Sequence, residues 1–289
     1  MPCRNATSFC LHLHLSTPLP VTNRAFSRRL RVQAPCAHHP LVTIPPELIQ
    51  KLVAAKSVTV LTGAGVSAES GVPTFRDAQT GLWAKFSPEE LATPRAFRRN
   101  PRLVWEWYAW RRKLVADAKP NPAHLALAEM EKLFPRFHLI TQNVDGLYQR
   151  GGSRRVIELH GNIMRTKCFD EGTIVSSWKD TGDVPPKCPA CGGLLRPDVV
   201  WFEEAMPEAE MEQATTASTS CEVFFSIGTS TVVYPAAALP SEALRSGATV
   251  VEINPQPTPF TEQAHFALAG AAGVVLPELL KALKALRGS

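Results

Sequence analysis

The feature that most constrains this chain is a short β-branched run that stops abruptly at glycine. Residues 57–62 read Ser-Val-Thr-Val-Leu-Thr, and Gly63, Ala64, Gly65, Val66, Ser67 and Ala68 follow at once. A run this short and this apolar suits a strand buried on both faces, as in parallel sheets covered by helices. The glycines then fit the G-x-G-x-x-A form of a dinucleotide-binding turn, in which backbone N–H groups approach a pyrophosphate closely. A plain strand–helix turn would use the same residues, so the loop alone decides nothing. Residues 137–141, 156–159, 223–227 and 249–253 repeat the buried-strand pattern, with helical stretches between several of them. The alternation predicts an α/β fold built on a Rossmann-like parallel sheet domain.

Two segments stand outside that alternation. Residues 77–120 are rich in Trp, Arg and Leu at helical spacing, and residues 165–205 carry cysteines among Gly and Pro turns. Both are expected to form a smaller inserted lobe, one part helical and the other cysteine-bearing and zinc-ribbon-like. Pro45 and Pro46, followed by Leu48, Ile49, Leu52 and Val53, predict an amphipathic helix opening the domain over residues 47–289.

Charge separates off the N-terminus. Residues 1–46 hold five arginines and no acid, leaving 26 basic and 26 acidic residues beyond them. An Arg- and Ser-rich, acid-free leader predicts an organellar transit peptide, mitochondrial first and plastid second, with the cytosol as the alternative. The balanced remainder lacks the basic footprint of a nucleic-acid binder. No apolar run approaches the eighteen or so residues of a membrane span. Neither nucleic acid nor membrane is therefore an expected partner.

A hydride-transferring enzyme of this class should show an acidic residue about twenty positions after the glycines, on a second strand. The chain instead continues Glu69, Ser70, Gly71, Val72, Pro73, Thr74, Phe75, Arg76 into the helical segment. GAGVSAESGVPTFR (Gly63 to Arg76), TQNVD (Thr141 to Asp145), LHG (Leu159 to Gly161) and GTS (Gly228 to Ser230) together resemble the motifs of the sirtuin family, in order. The similarity runs from about Pro46 to the C-terminal helix.

The resemblance implies NAD as co-substrate and acylated protein lysines as partners. It implies that Gly63, Ala64, Gly65, Ser67, Ala68 and Glu69 hold the NAD phosphates and ribose, with Phe75 and Arg76 in a cofactor loop. Gln142, Asn143, Val144 and Asp145 would line the nicotinamide and ribose pocket, and Gly228, Thr229, Ser230, Asn254 and Ala272 would surround the adenosine half. His160 would be the catalytic base that takes a proton from a ribose hydroxyl, work suited to a neutral imidazole. Products would be free lysine, nicotinamide and an O-acyl-ADP-ribose. A catalytically weak NAD or ADP-ribose sensor and an ADP-ribosyltransferase are the alternatives.

Three of the seven cysteines group together: Cys168, Cys188 and Cys191. Structural zinc usually takes four ligands, and the partner of Cys168 in a first pair is missing. Either a fourth ligand of another type completes a zinc site or the site is degenerate. Glu203 and Asp77 stand where the family has glycine. Finally, Tyr108 and Arg111 are spaced to share one helix face. This Tyr-x-x-Arg resembles the signature of the class III sirtuins, which implies a preference for succinyl, malonyl and glutaryl lysine, with weaker deacetylation.

Overall fold

The computed structural model describes residues 43–73 and 86–287; Phe75, Arg76 and Asp77 lie outside the described residues. Helices are α1 (Pro46–Ala54), α2 (Ala64–Ala68), α3 (Pro88–Leu91), α4 (Pro94–Arg99), α5 (Pro101–Asp117), α6 (Pro122–Glu131), α7 (Leu147–Arg150), α8 (Glu208–Thr219), α9 (Leu239–Arg245) and α10 (Ala272–Arg287). Strands are β1 (Ser57–Thr62), β2 (Arg136–Thr141), β3 (Val156–Glu158), β4 (Gly161–Cys168), β5 (Leu195–Val199), β6 (Val223–Ile227), β7 (Thr249–Asn254) and β8 (Phe266–Ala269). Among the described residues no helix is long and apolar enough to cross a membrane.

Six strands form one sheet in the order β3-β2-β1-β6-β7-β8, all paired in parallel. Side chains alternate across it. Val58, Val60, Phe137, Leu139 and Phe225 pack with Leu48, Leu127 and Leu279 of α1, α6 and α10. Leu61, Ile140, Phe224 and Val250 face the other way, onto Ala214, Ala217 and Ala243 of α8 and α9. Burying both faces explains why these strands read as continuous apolar runs, each full-sized side chain contributing about 1.5–3 kcal/mol. The Rossmann-like layering expected from the alternation is present.

β4 and β5 form a separate antiparallel pair. Ile163, Val199 and Trp201 pack there with Phe97, Val104, Trp107 and Tyr108 from α4 and α5, so the helical and β parts share one small core. Asn100 caps α5 by accepting from Leu103 N–H, and Pro101 starts it without a donor to lose. The sequence pattern signalled neither this antiparallel pair nor the edge strand β8. β8 has four residues and only Leu268 of them is buried, which leaves almost no apolar run to read.

Candidate active site

Register fixes where the site lies. Thr62 at the end of β1 pairs with Thr141 of β2 and Ile227 of β6, so the loops after these three strands leave the sheet at one level. β1 sits between β2 and β6, the point where strand order turns, and ligands bind beyond strand C-termini at such points. A cavity of about 490 Å³ opens there, between the loops and the small lobe.

The glycine loop is shaped first by its own neighbours. Gly63 N–H donates to Ile227 O at 3.0 Å and Gly65 N–H to Gly228 O at 2.9 Å. A Cβ on either glycine would lie 2.8 Å from Gly228 O. The glycines are thus required for two loops to touch, and that contact brings Gly228, Thr229 and Ser230 beside Gly63, Ala64 and Gly65 on the cavity wall.

Polar side chains after β2 knit the same wall. Asn143 Nδ2 donates to Gly63 O (3.0 Å) and to Ser67 Oγ (2.9 Å), and Gln142 Nε2 donates to Thr229 Oγ1 (3.0 Å). Asp145 Oδ1 accepts from Leu147 N–H at 2.9 Å. Burial pushes the Asp145 carboxyl above its ordinary range, opposed by hydrogen bonds from Ser67 and Leu147. Ser67, Asn143, Asp145 and Thr229 are all buried and still line the cavity, a polar rim suited to a ribose and phosphates. These residues and the glycine cradle fit NAD.

His160 lies between β3 and β4, half-buried and facing the same cavity. Its Nδ1 sits 2.9 Å from Gln142 O, which as a carbonyl only accepts, so Nδ1 carries the proton and Nε2 keeps a lone pair. Burial lowers the imidazole pKa and the carbonyl contact partly opposes it. The group is neutral at neutral pH, as a base must be.

Tyr108 and Arg111 project from one face of α5 into this cavity, both buried. Tyr108 Oη accepts from Trp201 Nε1 at 2.9 Å. Burial pushes the phenol up to about 12, so it stays protonated. The Arg111 guanidinium lies 5.0 Å from the Trp107 ring centroid; burial lowers its pKa, while Tyr108 and Asp145 oppose the shift. Val144 of the TQNVD motif lines the cavity as expected, and Val115, Val199 and Met206 add apolar wall that the motifs did not mark.

Four expected site residues stand back from the cavity lining. Ala68 ends α2, and Glu69 reaches away to accept Gly273 N–H at 3.0 Å. Asn254 Nδ2 donates to Thr229 O at 3.1 Å, bracing the loop from behind, and Ala272 is buried where α10 begins. Glu203 adopts φ 73°, the left-handed region that glycine would enter without cost, and it is held by an ion pair with Arg95.

The three grouped cysteines converge: the sulfurs of Cys168, Cys188 and Cys191 lie within 4.8 Å of one another. Cys168 Sγ and Cys191 Sγ are 3.5 Å apart, close to the roughly 3.8 Å that tetrahedral Zn–S bonds of about 2.3 Å impose. Backbone N–H groups of Glu171 and Gly193 point at Cys168 Sγ and Cys191 Sγ. The set fits zinc, with three protein ligands converging among the described residues.

The Sir2 family profile matches residues 63–235, more than half of the chain. This chain belongs to the Sir2 family. The NAD-dependent protein deacylase of Aquifex aeolicus is 54% identical over 75% of this chain and 92% of its own length. That of Pyrobaculum aerophilum, NAD-dependent protein deacylase 2, is 50% identical over 81% and 93%. Among solved structures, a Sir2 homologue in complex with NAD superposes with a TM-score of 0.79 at 45% identity, covering 86% of this chain and 97% of that one. A Sir2 bound to a p53 peptide and NAD+ superposes at 0.72 with 30% identity, covering 83% and 98%.

Proposed function

We propose that this sirtuin uses NAD to remove acidic acyl groups (succinyl, malonyl and glutaryl) from protein lysines. The chain is an NAD-dependent protein deacylase, an enzyme that consumes its dinucleotide. NAD bound in the cavity supplies an electrophilic ribose carbon once nicotinamide leaves. Gly63, Ala64, Gly65, Ser67, Gly228, Thr229 and Ser230 hold its phosphates and ribose, and Asn143 and Asp145 the nicotinamide side. His160 Nε2 takes the proton from a ribose hydroxyl, while Gln142 O fixes the ring through Nδ1.

The acyl preference is carried by one observation. A buried guanidinium and a buried, protonated phenol, Arg111 and Tyr108, line the same cavity as His160. A guanidinium meets a carboxylate in a bidentate fork, and a phenol adds one more donor. An acetyl group offers neither donor an anion. Removing one partner of such a desolvated pair costs about 2–5 kcal/mol, roughly 30- to several-thousand-fold in specificity. Arg111→Met is therefore expected to collapse kcat/KM on succinyl-lysine peptides while sparing acetyl-lysine peptides. Equal losses on both peptides, or none, would sink the assignment. Residues 1–46 are proposed as an organellar address; a fluorescent fusion of that segment that stays cytosolic would refute it.

A further inference from the structure

The Tyr108 phenol is oriented by a partner outside the reaction. Trp201 Nε1 donates to Tyr108 Oη at 2.9 Å, between two fully buried side chains. An indole only donates, so this bond uses a lone pair of Oη and directs the phenol's own proton elsewhere.

The indole is itself fixed by a closed circuit. Glu204 Oε2 accepts from Trp201 N–H at 2.8 Å and from Arg196 Nη2 at 2.9 Å. Arg196, 3% exposed, also donates to Val199 O at 2.7 Å. Its guanidinium carbon lies 3.3 Å from the Trp201 ring centroid, and Phe97 packs against the same indole at 5.3 Å. Backbone, ring face and ring edge of Trp201 are thus each held separately. Arg196 is buried and Glu204 half-buried, and such an ion pair adds little net stability by itself, so holding one geometry is the role that fits it here.

We infer that Trp201 is a positioning residue for acyl selectivity: its N–H turns the Tyr108 hydroxyl toward the carboxylate held at Arg111, and the Glu204–Arg196 pair keeps the indole in place. The inference rests on the acidic-acyl reading above. It concerns aim rather than contact, because an acetyl chain presents no carboxylate for the phenol to meet.

The test is a double-mutant cycle on the full chain with NAD, using succinyl-lysine and acetyl-lysine peptides. Trp201→Phe is expected to raise KM for the succinyl peptide about three- to tenfold, the worth of one buried hydrogen bond, with kcat little changed. The succinyl-to-acetyl ratio of kcat/KM falls by the same factor. In a Tyr108→Phe background the second substitution should move that ratio less than about twofold, since the acceptor is gone. Benzothienylalanine at position 201 keeps the ring shape and deletes the N–H, so the test survives if Trp201→Phe folds poorly. Proportional losses on both peptides, or a full effect retained without the Tyr108 hydroxyl, would reduce Trp201 to packing. A wild-type enzyme with no succinyl preference would instead overturn the underlying reading, before any variant is compared.

Discussion

At the scale of single residues, His160 is the proposed base. Its Nδ1 proton is committed to Gln142 O, and burial keeps the ring neutral, so Nε2 is the available base. His160→Ala is expected to lower nicotinamide-coupled deacylation on the order of 10²–10⁴-fold while NAD binding, followed by calorimetry, persists. The pH profile carries a sign. A base whose pKa is lowered stays unprotonated further into acid, so the acidic limb of kcat/KM should fall below the ordinary imidazole value of about 6.5. A limb above that value would contradict the assignment. The motifs made His160, Asn143 and Asp145 legible from sequence. They did not reveal Trp201 or Arg196, because Trp201 meets Tyr108 across 93 positions of chain and an arginine flanked by proline reads as surface.

Elements turn those residues into a site through register and loop contact. β1 and β6 coincide with the apolar runs at 57–62 and 223–227, because strands buried on both faces leave an unbroken signal. Their order in the sheet left no such signal, since it depends on crossovers rather than local pattern. The glycine turn was legible as a nucleotide loop, yet the close approach of Gly63 and Gly65 to Gly228 left no mark in the sequence. Gly65→Ala would place a methyl 2.8 Å from a backbone carbonyl that has no rotamer to change. The two loops must part, and overpacking of this kind costs about 1–3 kcal/mol. The variant should melt lower and bind NAD more weakly. Unaltered NAD affinity would show that the loop contact does not shape the cofactor site.

At the scale of the whole molecule, acid stability has an identifiable source in His124. The ring is fully buried against Tyr148, and its Nδ1 accepts Asn121 N–H at 3.2 Å in the capping box that starts α6. Burial lowers its pKa to about 4. The unfolded chain takes up this proton near pH 6.5 and the folded chain does not until about pH 4, so stability drains across that window as pH falls. The loss approaches roughly 3 kcal/mol at about 1.4 kcal/mol per unit. Urea unfolding of wild type and His124→Gln between pH 7 and 4 should show the wild type losing stability faster; parallel curves would exclude His124 as the source.

Acidic-acyl removal is tested by comparing acyl peptides with the wild-type enzyme. Matched succinyl-, malonyl-, glutaryl- and acetyl-lysine peptides are incubated with NAD, and mass spectrometry follows peptide, nicotinamide and the ADP-ribose product together. Stoichiometric nicotinamide and O-acyl-ADP-ribose are expected, with kcat/KM for the acidic acyl groups at least about tenfold above acetyl, the effect of roughly 1.4 kcal/mol. Acetyl-lysine turned over faster than all three acidic acyl peptides, or ADP-ribose transferred to the protein without deacylation, would contradict it.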